Sequence, residues 1–85
     1  MSYTVFIEKA AQKALSRIPR PAQDRLIEAI RSLGEEPRPR GTKKLAGREA
    51  WRLRVGSYRI IYEIEDNRLL VLVVQIGHRQ SVYRR

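Results

Sequence analysis

Cysteine is absent from this chain of 85 residues, and histidine, methionine, tryptophan and phenylalanine occur once each. Without cysteine there is no disulfide framework and no thiolate metal site, and a lone histidine builds no histidine cluster. Neither a metal nor a cofactor is therefore expected. A small domain with no covalent or metal staple suits the reducing cytoplasm. No apolar run approaches the roughly 20 residues of a membrane span, so no membrane association is expected. Met1 to Ile7 has no basic stretch leading into an apolar core, so no signal peptide is expected either. Acidic residues are scarce: nine Asp and Glu stand against 18 Lys and Arg, a net charge of +9.

What remains is a chain that can fold and is strongly cationic. Hydrophobic residues make up 42% of it, enough for one compact core, and its length suits one domain over 1–85. The charge is not evenly spread. Residues 1–37 carry a net +1, residues 38–59 a net +7, residues 60–67 a net −3 and residues 68–85 a net +4. A generic solvated surface mixes signs, whereas this distribution suits a polyanion binder. Fourteen of the 18 cations are arginine, whose planar fork matches phosphate better than an ammonium does.

The order of elements follows from periodicity and punctuation. Residues 3–7, YTVFI, are β-branched and aromatic and read as a first strand. Ala11, Ala14, Leu15 and Ile18 form one apolar stripe, which predicts a helix over 8–18. The PRP at 19–21 ends it, and Pro21 opens a second helix, with Ala22, Leu26, Ile27, Ile30 and Leu33 inward and Gly34 as its stop. Residues 35–50 form a Pro- and Gly-punctuated cationic loop, too long for a simple connector, with Leu45 expected to pin it to the core. Strands follow at AWRLRV, YRIIYEIE and LLVLVVQI. Gly56-Ser57 suits a type II′ turn between the first two, and Asp66-Asn67 a second tight turn. The last strand, apolar throughout, needs a neighbour on each side. The expected fold is α+β: an N-terminal strand, a two-helix hairpin, then an antiparallel three-strand meander, with the helices on one face of a four-stranded sheet. Its strand order is 1-4-3-2.

A two-residue turn at Gly56-Ser57 pairs Val55 with Tyr58, and hence Arg54 with Arg59 and Arg52 with Ile61. Those four project from one face, and Trp51, Leu53, Val55, Tyr58, Ile60 and Tyr62 from the other, assigned to the helices. Like charges directly opposite cost up to about 1 kcal/mol, so stability alone does not explain the arginines. The nearest acid on that face, Glu63, can pair with one of them at most. Their spacing, roughly 5 Å across and 7 Å along the sheet, suits a phosphodiester held from both sides. The plain alternative is a solvated sheet face. Against it, Leu70, Leu72, Val74 and Ile76 of the last strand are expected on the same face, an apolar floor beside the cations. Three further candidates follow that strand: His78, an edge-of-strand polar residue or a group titrating near neutrality; Arg79, which a bulge at Gly77 would bring to the arginine face; and Tyr83, a core plug or a site residue.

The stretches WRLRVGSYRIIYEI and GHRQSVY, with the PRPRGTKKLAG loop and the strand–helix–helix opening, resemble the RelE-type toxins of the RelE/ParE superfamily over essentially the whole chain. The resemblance implies a toxin of a type II toxin–antitoxin system, acting as an endoribonuclease that cuts mRNA in the ribosomal A site. The 2′-OH attacks the adjacent phosphate, leaving a 2′,3′-cyclic phosphate and a 5′-OH. It implies as partners a RelB-like antitoxin, the ribosome with its mRNA and rRNA, and operator DNA only through the antitoxin. Arg52, Arg54, Arg59, Arg79 and Tyr83 match the family's catalytic positions, with His78 as a candidate acid or base. Arg38, Arg40, Lys43, Lys44 and Arg48 are the expected RNA or ribosome contacts.

Internal attack by a 2′-OH needs no metal, so catalysis would rest on positioning and on stabilising the phosphorane charge. One departure matters. Well-known members carry lysines where Arg52 and Arg54 stand, and a guanidinium cannot act as a general base. That role moves to His78 or Tyr83, or gives way to electrostatics. The chain also stops soon after Tyr83, without the extra helix of some members, which is expected to leave the apolar floor for an antitoxin helix. Two other functions fit the same fold: a ParE-like inhibitor of DNA gyrase with no nuclease activity, and a degenerate toxin acting only in a repressor complex with its antitoxin.

Overall fold

The computed structural model describes residues 2–78. A five-stranded sheet carries two helices on one face. Its strands are β1 (Thr4–Ile7), β2 (Lys43–Lys44), β3 (Trp51–Val55), β4 (Tyr58–Glu65) and β5 (Leu70–His78), in the order β1-β5-β4-β3-β2. The helices are α1 (Lys9–Ser16) and α2 (Arg20–Ser32). β1 runs parallel to β5, and the other pairs are antiparallel. The expected order 1-4-3-2 is present, extended by β2 at the outer edge. Two lysines in a cationic loop give no strand signal, and β2 exists because Lys43 and Lys44 pair with Arg52 and Trp51.

Each helix follows its apolar stripe. Ala11 of α1 and Leu26 and Ile30 of α2, with Leu33 just after it, are buried against Ile60, Tyr62, Val71, Val73 and Ile76 of the sheet. Burying each Leu, Ile or Val contributes about 1.5–3 kcal/mol, enough to hold short helices that are marginal alone. The Gln23 side-chain amide donates to the carbonyl oxygen of Leu15 at 3.0 Å and ties the two helices together. Pro21 lies within the first turn of α2, where its missing N–H costs nothing. The helix ends at Ser32 with Leu33 as its cap. Gly34, expected as a left-handed stop, does not take positive φ; glycine stands there because a Cβ would lie 3.1 Å from the Tyr3 carbonyl oxygen.

The β3–β4 hairpin has the expected register, with Val55 opposite Tyr58, Arg54 opposite Arg59 and Trp51 opposite Tyr62. Gly56 takes φ +59 and Ser57 keeps negative φ, as a type II′ turn requires.

Three expectations for the rest of the meander are corrected. The β4–β5 connection is a 3₁₀ turn, Asp66–Arg68, and the left-handed residue after it is Leu69 at φ +50, not Asp66 or Asn67. A β-bulge falls between Ile61 and Tyr62, where Tyr62 faces Val73 but Ile61 faces Gln75, so Val74 is the extra residue. It stands before Gly77 rather than at it. Past the bulge the parity of β5 inverts. Ile76, expected beside the arginines, pairs with Ile60 and is buried under the helices.

Candidate nucleic-acid interface

The face of the sheet away from the helices has two zones. Toward the β3–β4 turn stand Arg52, Arg54 and Arg59. Lys43 joins them, because β2 places it opposite Arg52. A two-residue turn closes on a hydrogen-bonded pair, Val55–Tyr58, so Arg54–Arg59 and Arg52–Ile61 are non-hydrogen-bonded pairs. In such pairs the Cα atoms are only about 4.5 Å apart and the side chains closest. Arg59 is 8% exposed and so mostly withdrawn from water, whereas Arg54 is exposed. Arg54 takes part in no ion pair among the described residues. Arg52 and Arg59 do interact with other groups of the chain, so of the three it is Arg54 that presents its charge outward.

The second zone is apolar. Ile61 and Ala50 are buried there, with Leu45 and Val74 packed against them, so Leu45 does pin its loop to this face. Leu70 and Leu72 lie opposite Glu65 and Glu63, on the same side as Ile61. Phe6, level with Leu72 on β1, is 55% exposed, the one large hydrophobic side chain among the described residues so far out in water. The floor expected at Leu70, Leu72 and Val74 is present, widened by Phe6 and shortened by Ile76.

The other predicted residues separate. His78 lies opposite Tyr58, on the helix-facing side, its ring edge-on to that tyrosine at 5.2 Å. The fold does not bring it together with the arginines. Arg79 and Tyr83 lie outside the described residues. Arg38 is held in a clamp: its guanidinium donates to both carboxylate oxygens of Asp66, at 3.2 and 2.9 Å, and lies 4.9 Å above the Trp51 ring. Tyr3 donates to the same carboxylate at 2.7 Å. These bonds, Arg38's first, hold the Asp66 carboxyl below its ordinary range, and Asp66 in turn raises the Tyr3 hydroxyl. Nearby, Tyr62 donates to the Pro37 carbonyl oxygen at 2.7 Å and lies 3.1 Å from the Thr42 hydroxyl. Burial pushes the Tyr62 hydroxyl up, keeping it a donor. Composition carries no sign of this clamp, because its partners come from the start, loop and middle of the chain. Lys44 pairs with Glu49 at 3.2 Å, and Arg40 and Arg48 are exposed in the loop.

This face can hold an anion at its cationic end and an apolar element across its floor. Among the described residues no group of His, Cys, Asp or Glu could hold a metal ion, and no helix is long and apolar enough to cross a membrane.

Comparison with known proteins places the chain beside small toxins. The family described as ParE toxin of type II toxin-antitoxin system, parDE, matches residues 5–83. Toxin RelG of Mycobacterium tuberculosis is 33% identical over 89 residues, covering all of both chains. The RelE–RelB complex from Pyrococcus horikoshii contains a chain 31% identical, with TM-score 0.85, covering 95% of this chain and 99% of that one. The RelBE2 toxin–antitoxin complex of Mycobacterium tuberculosis contains one 28% identical, with TM-score 0.83, covering 93% of this chain and 100% of that one.

Proposed function

The chain belongs to the RelE/ParE toxin family of type II toxin–antitoxin systems, and from that premise we propose that its cationic sheet face binds mRNA in the ribosomal A site and cleaves it. The carrying observation is the register that sets Arg54 directly opposite Arg59 with Arg52 beside them. A protein selected for stability alone gains nothing from that pair. A phosphodiester entering the face receives charge-assisted hydrogen bonds from guanidiniums on both strands.

In the proposed reaction the 2′-OH attacks the adjacent phosphorus. A pentacoordinate phosphorane forms and the 5′-oxygen leaves, giving a 2′,3′-cyclic phosphate and a 5′-OH. Arg52, Arg59 and Arg79 hold the phosphate, and Arg54, exposed and outward, stabilises the added negative charge. Such stabilisation by one positioned donor is worth on the order of 10²–10³ in rate. Arginine keeps its proton, and His78 faces the helices. Tyr83 is the remaining titratable group of the set for proton transfer from the 2′-OH. Lys43, Lys44, Arg40 and Arg48 extend the positive field toward rRNA. The apolar zone of Phe6, Leu70, Leu72 and Val74 is the seat of a RelB-like antitoxin, consistent with relatives solved as RelE–RelB complexes.

A second reading has its own support, since the matching family is described by the ParE name: a toxin that poisons DNA gyrase and cuts no RNA. Primer extension on mRNA from a translating extract separates the two. Cuts positioned within codons, lost in Arg54→Ala, support the nuclease. Intact mRNA with gyrase-dependent DNA breaks supports the gyrase poison. Intact mRNA and intact DNA leave a chain that acts only in a repressor complex with its antitoxin.

A further inference from the structure

β5 is apolar from Leu70 to Ile76 except at Gln75, and that residue stands next to the bulge. Unbroken alternation from Val73, which is buried under the helices, would send Gln75 to the same side as Val73 and leave Val74 and Ile76 on the other. The extra residue at Val74 reverses this. Gln75 lies opposite Ile61, on the arginine face, and its side chain is exposed. A row across the sheet reads Lys43, Arg52, Ile61, Gln75, and the next reads Arg54, Arg59, Gly77. Gln75 is thus two strand spacings, about 9.6 Å, from Arg52. It also flanks Gly77, a position with no side chain, beside Arg59.

We propose that Gln75 is a specificity residue of this site, reading a nucleobase edge of the RNA whose phosphate the arginines hold. The inference rests on the nuclease reading above. A primary amide donates and accepts at once, which a guanidinium cannot do, and this suits a base edge that offers both an acceptor and a donor. Single-stranded RNA is recognised through splayed bases hydrogen-bonded on those edges. Gly77 contributes no side chain of its own between Arg59 and the amide. Bulges near functional sites commonly re-aim one side chain in this way. The plainer account is that the bulge only buries Ile76 and keeps an amide out of the core, and the two accounts differ in what substitution does.

The test uses the full-length toxin with ribosomes programmed so that the A-site codon varies nucleotide by nucleotide. Single-turnover cleavage rates are measured for wild type, Gln75→Ala and Gln75→Glu, with thermal melting as the check on folding. Gln75→Ala is expected to lose roughly tenfold on the best codon and less on poor ones, flattening the ranking. Gln75→Glu, which accepts but cannot donate when ionised, is expected to reorder it. Unchanged rates and ranking, or one uniform loss across all codons with the melting temperature unchanged, would overturn the inference. Wild type cleaving mRNA on no programmed ribosome is a separate result, and it overturns the nuclease reading together with this one.

Discussion

The two ends of β4 both meet arginine, and they use it in opposite ways. Past Glu65, Arg38 finds the Asp66 carboxylate, two hydrogen bonds to it and the face of Trp51. Near the β3–β4 turn, Arg59 finds Arg54 across the hairpin. The first arrangement satisfies its charge inside the protein and ties a cationic loop to the sheet. The second sets two like charges directly opposite each other, one exposed and one buried. The same residue type is thus an internal clamp where a carboxylate faces it and half of a like-charged pair where another arginine does.

Substitutions at the two ends probe that contrast. The largest expected effect is on activity: Arg54→Ala lowers mRNA cleavage by about 10²–10³-fold, read by primer extension, with the melting temperature equal to or above wild type. A fall in melting temperature would make Arg54 structural instead. Next, Tyr62→Phe leaves the Pro37 carbonyl without its donor and costs about 1–2 kcal/mol in denaturant unfolding, with cleavage by the folded fraction unchanged. A strained turn gives the third effect: Gly56→Ala places a Cβ at φ +59 and destabilises the hairpin by about 1 kcal/mol.

The smallest effect, at the clamp, is visible in its pH dependence. The folded-state pKa of Asp66 is depressed, so its contribution is present at neutral pH. It is lost as pH falls through and below the ordinary carboxylate range. The Tyr62 pKa is raised, so its contribution is present below the ordinary tyrosine range and lost as pH rises through the elevated value. Asp66→Asn should flatten the acid limb of the stability–pH curve and leave the alkaline limb. Tyr62→Phe should do the reverse.

Much of this contrast is legible in the order of the amino acids, and the rest has identifiable reasons for being hidden. Register in the β3–β4 hairpin follows from one Gly-Ser turn and the period of the strand, so the Arg54–Arg59 pair is a matter of counting. Strand order follows from the apolar run of β5, which needs neighbours on both sides. The β5 bulge has no such mark: Val73, Val74 and Ile76 are equally apolar, and burial of Ile76 decides the parity only in three dimensions. Leu69 in the left-handed region is hidden because that conformation favours Gly or Asn, and the 3₁₀ turn before it imposes the choice. Arg38 looks like one more cation in a basic loop, since its carboxylate partner lies 28 residues away. His78 looks like a site residue by its position beside Arg79, and the bulge turns it toward the helices.

If the opposed arginines carry unfavourable charge until an RNA backbone enters, thermal melting at low ionic strength will reveal it. Wild type and Arg54→Ala are compared alone and with a short oligoribonucleotide whose cleavage-site 2′-OH is replaced by hydrogen. Arg54→Ala alone is expected to melt at or above wild type, and the oligonucleotide to raise the wild-type midpoint clearly and the variant's much less. A variant that melts below wild type, with the oligonucleotide raising both midpoints equally, would refute the role given to the pair.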